Sequence, residues 1–344
     1  MAHITHKLAL IGFGTVGQSL AKIIAAKNAD LKQLRNTDLQ IVAVATPGKG
    51  SLYHPAGLDI SALFAALEKD GTFAGYPDSA GLERGWSNLA LVRDSNADTI
   101  VEVSHTDMNT GQPALDHCRT ALAHGKNVVT SNKGPVALAY ADLAALAAAN
   151  GVRFLFESTV TAGTPSLRLA RRALAGNEIT EMRGILNGTT NFILSEMETG
   201  KSYADALAEA QALGYAEADP TADVEGIDAL AKVLIVANTV MGCALTKDEI
   251  SCRGISQLTA DDVAAAKTAG KRWKLIGHVK KAGGQTTASV QPVQLPLSDP
   301  LAQVMGTTNA ITYRTDLLGD VTLVGPGAGG IETAAGLLAD ILAI

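Results

Sequence analysis

The stretch KLALIGFGTVGQSLAKII, residues 7–24, constrains this chain more than any other. It reads as a short apolar strand, a glycine turn and a helix. Gly12, Gly14 and Gly17 form G-x-G-x-x-G in that context, with Phe13, Thr15 and Val16 between them. The first glycine makes the tight turn, the second lets backbone approach a pyrophosphate, and the third lets the helix pack on the strand. The helix start then offers unpaired N–H groups to an anion. A second apolar run, LQIVAVA, follows at the distance of a βαβ unit. Without that context the motif would fit any tight strand–helix turn; with it, residues 1–150 read as a doubly wound, Rossmann-type domain that holds a dinucleotide.

Where the ligand is NAD, the second strand should end in an acid that holds the ribose hydroxyls. Here the chain runs Ala45-Thr46-Pro47-Gly48-Lys49, without an acid. The missing carboxylate removes a repulsion against a 2′-phosphate. Lys49 either meets that phosphate or is a solvated loop lysine, and NADP is favoured over NAD on this reading. ADTIVEVS reads as a further strand ending at Ser104, PALDHCRTALAHG as a crossover helix, and KNVVTSNKG as the next strand with its loop. Ligands of open α/β sheets sit outside the carboxyl ends of the strands, which puts Ser104 near the cofactor and Asn132 and Lys133 beside the nicotinamide. The Ala-rich helix YADLAALAAANG closes the domain near Gly151.

With 344 residues the chain is long enough for two domains and a core that needs no covalent staples. Hydrophobic residues at 47% against 18% charged make it globular rather than disordered. The net charge of -6, with no basic block, argues against a nucleic-acid partner. Cys118, Cys243 and Cys252 lack metal-ligand spacing and cannot all pair within one chain, which fits a reducing cytoplasm. LALIGFG breaks at glycine too early for a signal peptide, and the longest later apolar run is interrupted by Lys232 and falls short of a membrane span. A cytoplasmic protein without a membrane partner is expected.

The second half carries the chemistry. ITEMRGILNGTTNFILSEMETG reads as strand, polar turn and helix, the turn presenting Asn187, Thr189 and Thr190. Further on, acids crowd before a helix: Glu217, Asp219, Asp223 and Glu225. Complementing the helix dipole accounts for Asp223 and Glu225, and Asp223 suits an N-cap. It does not account for Asp228 and Lys232, which lie four apart on one helical face among Val224, Ala231 and Ile235. A buried ion pair is hard to justify by stability alone, since desolvation can exceed the Coulombic gain. The pair is either a polar functional site or an ordinary solvent-facing helix pair.

LNGTTNFIL followed by LGYAEADPTADVEGIDALAK resembles homoserine dehydrogenase. The likeness extends through the amino-terminal glycine motif, TSNKGP, FESTVTAGTP, LAQVMGTTNAI and GPGAGGIETA, and covers nearly the whole chain in the family's order. It implies reversible reduction of L-aspartate 4-semialdehyde to L-homoserine, with NADP or NAD. By the same resemblance, Lys232 corresponds to a proton donor and Asp228 to its partner, which also contacts substrate. Glu217, with Gly214 beside it, corresponds to the acid that binds the substrate's amino end. Lys133 matches a lysine between nicotinamide and substrate, and Gly327 a glycine that touches cofactor. The carbonyls of Glu157, Val160, Ala162 and Thr164 correspond to a backbone site for sodium or another monovalent cation.

Two departures from the family pattern stand out. The loop has TAGTP where members commonly show GGGIP, and the second strand ends in Thr46-Pro47 where relatives have Asp or Ser. The expected architecture is a Rossmann-type domain, a central α+β region for substrate binding and dimerisation over residues 151–325, and a helix over residues 326–344 that returns to the first domain. A homodimer of a short form without an amino-acid-sensing domain, little inhibited by threonine, is the corresponding expectation. A dehydrogenase of another amino-acid semialdehyde and a nucleotide-sensing regulator are the alternatives; the acid–lysine helix argues against the second.

Overall fold

The computed structural model describes residues 4–344. The chain divides into two compact units. The first runs to Thr159 and resumes over Gly330–Ile344; the second is Val160–Gly329.

The first unit holds strands β1 (Ile4–Ile11), β2 (Thr37–Thr46), β3 (Gly50–Tyr53), β4 (Glu83–Arg84), β5 (Thr99–Glu102), β6 (Asn127–Thr130) and β7 (Phe154–Leu155). They form one sheet in the order β4-β3-β2-β1-β5-β6-β7. The central strands β2, β1, β5, β6 and β7 are parallel. Strand order reverses between β1 and β5, the position where doubly wound sheets open a crevice for ligands. On the other side the sheet departs from a purely parallel one. The chain turns back after Thr46 and pairs β3 antiparallel with β2, Thr46 opposite Gly50. The segment around Lys49, read from sequence as a strand end and loop, is thus a hairpin turn, closed by Lys49 N–H donating to the Thr46 carbonyl at 3.2 Å. Pro47 and Gly48 supply the turn chemistry, Gly48 at φ 77°.

Leu8, Leu10, Leu20, Ile24, Ile41, Val44, Val101 and Val129 make the core of this unit. Ala334, Leu337 and Ile341, from the closing helix Gly330–Ile341, belong to the same core. The helix after β6 begins at Lys133, not Tyr140. Asn132 caps it by accepting from the Gly134 N–H at 3.1 Å, and the helix breaks at Ala139 (φ −144°, ψ 25°). Lys133 is therefore a helix-start residue rather than a loop residue.

The second unit is built on β8 (Ile179–Ile185), β9 (Ser251–Cys252), β10 (Lys271–Ala282), β11 (Gln285–Pro296), β12 (Thr308–Thr315) and β13 (Gly319–Pro326), in the order β13-β12-β8-β10-β11-β9. Apart from β9, which lies parallel to β11, the pairs are antiparallel. Gly283 and Gly284, both at positive φ, close the β10–β11 hairpin. The helix Ile227–Thr239 packs on β10 and β11. It comes so close that a Cβ on Gly277 of β10 would stand 2.6 Å from Val233. Ala229, Ala231, Val233, Leu234, Ile235, Val236 and Ala237 are all buried, so Lys232 belongs to a helix that is apolar almost all round. The α/β class with a second, sheet-based α+β unit matches the sequence expectation. The apolar stretch after Gly151 contributes less strand than its composition suggests, with only Phe154–Leu155 joining a sheet.

Candidate active site

In the first unit the glycine turn sits at the carboxyl end of β1. A Cβ on Gly12 would overlap the Val103 carbonyl and come within 2.8 Å of the Ser104 nitrogen, so the turn presses directly on the end of β5. A Cβ on Gly17 would overlap the Gly12 carbonyl, because the helix Thr15–Arg35 starts tightly against its own strand. Gly14 differs. Among the described residues, nothing beyond its chain neighbours lies within 4 Å of where its Cβ would be, and Gly14 and Thr15 are exposed. The fold itself thus demands glycine at 12 and 17, whereas at 14 it leaves open backbone for a phosphate to approach, and the donor set fits a dinucleotide. Phe13 is fully buried, stacked edge-on against Phe73, so it can meet a ligand only through its backbone. Its carbonyl accepts from Gln18 Nε2 at 3.0 Å and from Lys49 Nζ at 3.0 Å. Lys49 therefore reaches back across the hairpin onto the glycine turn. Val16 is half-buried against the core.

Ser104 and Asn132 come together at the same sheet edge. Asn132 Nδ2 donates to the carbonyls of Ser104 (3.3 Å) and His105 (3.1 Å), while Lys133 follows half-buried at the first helical position.

In the second unit, β8 runs into the turn Leu186-Asn187-Gly188, and this turn organises the acids. Lys232 Nζ lies 2.8 Å from Asp228 Oδ2 and donates to the Leu186 carbonyl at 2.7 Å. Asn187 Nδ2 donates to Asp228 Oδ2 at 3.1 Å and to Asp223 Oδ1 at 2.7 Å. Asn187 Oδ1 in turn accepts from the Thr190 N–H at 2.9 Å, capping the helix Gly188–Met197 and fixing which way the amide points. Lys232 is 6% exposed, so the pair is not the solvent-facing one. Burial, ahead of the neighbouring Asp228 charge, pushes the Asp223 carboxyl above its ordinary value. Asp223 does not cap the following helix as the sequence suggested. It lies inside the short helix Thr221–Val224, and Gly226 (φ 81°) precedes the helix Ile227–Thr239 without a side-chain cap. The role of Asp223 as second acceptor for Asn187, and of the Leu186 carbonyl as second partner of Lys232, was not read from the sequence.

Comparison with known proteins decides the family. A family model described as "Homoserine dehydrogenase, NAD binding domain" matches residues 12–157, and one described as "Homoserine dehydrogenase" matches residues 165–342. The chain is 47% identical to an NAD(+)-dependent homoserine dehydrogenase from Pseudomonas canavaninivorans, over 98% of this chain and 96% of that protein. The chain belongs to the homoserine dehydrogenase family. A solved structure of a putative homoserine dehydrogenase from Archaeoglobus fulgidus superposes with a TM-score of 0.88 at 36% identity, covering 98% of both chains. A hyperthermophilic archaeal homoserine dehydrogenase in complex with NADPH superposes at 0.82 with 33% identity, covering 98% of this chain and 97% of that one. Both likenesses run through the two units.

The remaining positions singled out by the homoserine dehydrogenase resemblance fall as follows. Gly214 (φ 76°) and Glu217 are exposed on the loop after the helix Tyr203–Ala212. The Tyr215 carbonyl in that loop accepts from Thr189 Oγ1 at 2.6 Å, which ties it to the Asn187 turn. Gly327 belongs to the second unit, where a Cβ would overlap the buried Asn309 amide. Glu157 is buried in the first unit, its N–H donating to Asp340 Oδ2 at 2.8 Å. Val160, Ala162 and Thr164 lie in the second, Ala162 in the left-handed region (φ 48°). Among the described residues no helix is long and apolar enough to cross a membrane, and no cluster of His, Cys, Asp and Glu side chains is arranged for a metal ion.

Proposed function

We propose that this chain catalyses the NAD(P)-dependent, reversible reduction of L-aspartate 4-semialdehyde to L-homoserine, a step serving threonine, methionine and isoleucine biosynthesis. The observation that carries the reading is the buried Lys232 paired with the partly buried Asp228 and held by the Asn187 turn. The dinucleotide, when bound at the glycine turn, exchanges hydride with the carbon that is aldehyde in one direction and alcohol in the other. Lys232 has the chemistry required beside the oxygen on that carbon. An ammonium stabilises the developing alkoxide and delivers its proton. Asp228 and the Leu186 carbonyl fix the amine, and Asp228 compensates its charge in a site that excludes most water. Asn187 offsets part of the repulsion between Asp223 and Asp228 by donating to both. Glu217 offers an exposed carboxylate to the substrate ammonium, a charge-assisted contact, and Lys133 adds a cation at the carboxyl end of β6.

Lys49 supports NADP over NAD. It is the one cation on the turn after β2 that reaches the glycine turn, and no carboxylate stands there to repel a 2′-phosphate. Hard monovalent cations take oxygen ligands, and the carbonyls of Val160, Ala162 and Thr164 provide oxygens on one short turn. The Thr164 carbonyl already accepts from Thr161 Oγ1 at 2.8 Å and from the Ser166 N–H at 2.7 Å, so a cation would compete with those donors for it. A homodimer through the second unit fits its edge. β13 is a terminal strand, and Leu317, Leu318 and Val324 on the β12–β13 hairpin are exposed. Reduced-nicotinamide absorbance with homoserine and each of NAD and NADP, against other amino alcohols, tests the assignment. Turnover of another amino alcohol with homoserine inert would overturn it.

A further inference from the structure

Glu102 ends β5 with its side chain fully buried. Its neighbours Ile100 and Val101 are fully buried too, and an apolar residue would serve equally well inside a parallel sheet. The carboxylate is not balanced like a structural one. Oε2 is buried with no hydrogen-bond partner among the described residues, whereas Oε1 is crowded. Oε1 accepts from the Ser104 hydroxyl and from the Ser104 N–H at 3.3 Å, and His117 Nδ1 lies 3.3 Å from it. His117, on the helix Ala114–Ala123, is itself 2% exposed. Buried polar groups are costly when half-satisfied, so this grouping calls for a use.

The chemistry of Ser104 supplies one. A serine hydroxyl has a single proton to donate and lone pairs to accept with. That proton is given to Glu102, so the half-exposed Ser104 Oγ turns only accepting lone pairs outward. Its backbone cannot drift, because Asn132 holds the Ser104 carbonyl and the Gly12 turn packs on the Ser104 nitrogen. We propose that Glu102 and His117 are positioning residues that set Ser104 as a hydrogen-bond acceptor for a donor group on the nicotinamide-riboside half of the dinucleotide. The inference rests on the dinucleotide reading of this unit. Two groups there carry donors: the carboxamide N–H₂ and the ribose hydroxyls.

The test is equilibrium binding of reduced dinucleotide to the full chain, followed by its fluorescence, for wild type, Ser104→Ala, Glu102→Gln and the double variant. A glutamine can present an N–H to Ser104 and reverse its hydroxyl. Both single variants should weaken binding by about tenfold, the size of one hydrogen bond. The double variant should be no weaker than the worse single, and the KM for homoserine at saturating cofactor should stay unchanged. His117→Asn keeps a donor near the Nδ1 position and should bind like wild type; His117→Leu should behave like Glu102→Gln. The same variants titrated with the reduced 3-acetylpyridine analogue, whose methyl ketone has no N–H, separate the two donors. A penalty that vanishes on the analogue assigns the carboxamide, and one that persists assigns the ribose. Wild-type affinity in Ser104→Ala, or fully additive losses in the double variant, would overturn the proposal. Because Ser104→Ala removes only a half-exposed hydroxyl, it keeps the test open should Glu102→Gln fail to fold. A wild-type chain that binds no dinucleotide would instead overturn the cofactor reading beneath it.

Discussion

Asn187 donates to the same oxygen of Asp228, Oδ2, that faces the Lys232 amine, at 3.1 and 2.8 Å respectively. The other hydrogen of that amide goes to Asp223. One neutral side chain therefore bridges two acids and leaves a single carboxylate to pair with the lysine. Replacing Asn187 with leucine would remove the bridge and the helix cap together. Turnover should fall at least tenfold, and stability by about 1–2 kcal/mol for the lost cap and the lost hydrogen bonds to the two acids. Steady-state rates and thermal melts on the purified variant check both, and an unchanged rate would remove the turn from the site.

Asp223 gives a pH signature. Burial and the Asp228 charge raise its carboxyl in the folded state. Folding then favours the protonated form. The associated stability is fully present below the ordinary carboxylate value and is lost as the pH rises through the elevated one. Asp223→Asn, which cannot ionise, should melt increasingly higher than wild type as the pH is raised from about 4 to about 8. A difference in melting temperature that does not change with pH would contradict the assignment.

The glycine turn separates folding from binding. Gly17→Ala forces a Cβ into the Gly12 carbonyl and should cost about 1–3 kcal/mol of stability by overpacking. Gly14→Ala meets nothing beyond its chain neighbours among the described residues. It should keep the wild-type melting temperature but lose about tenfold or more in dinucleotide affinity, since the new methyl stands where phosphate must reach backbone N–H groups. Calorimetric binding and melting on the pair decide it; equal effects of the two substitutions would be the wrong outcome.

Lys49→Glu replaces a cation lying on the Phe13 carbonyl with an anion. If that cation meets the 2′-phosphate, the KM for NADP should rise about tenfold or more while that for NAD changes little, because only one of them carries the extra charge. Parallel changes for both cofactors would leave Lys49 a structural clasp on the glycine turn.

Much of this was legible because the sequence signals are local. G-x-G-x-x-G between a strand and a helix names its own geometry, and Asp228 and Lys232 at helical spacing announce a shared face. What could not be read lies in contacts across long stretches of chain. Asp223 looked like a cap because acids before helices usually are; its link to Asn187, 36 residues away, needs the tertiary fold. The hairpin at Lys49 was hidden because Thr-Pro-Gly-Lys fits a loop as well as a turn, and the antiparallel pairing of β3 with β2 decides between them. KNVVTSNKG was read as a strand with its loop, whereas the helix starts at Lys133, with Asn132 capping its first turn. Glu102 drew no notice inside an apolar strand.

The most direct measurement is turnover and melting on Lys232→Ala, Asp228→Asn and the double variant, each compared with wild type. A positioned proton donor is worth about 10²–10⁴-fold, so Lys232→Ala should lose at least that much turnover while still binding dinucleotide. Residues acting as one unit are non-additive, so the double variant should lose little beyond the worse single. A merely structural pair would instead cost each single variant about 3–5 kcal/mol of stability for a charge left unpaired, seen as a lower melting temperature, with activity falling only as folding fails. A folded Lys232→Ala chain that reduces the semialdehyde near the wild-type rate would contradict the account.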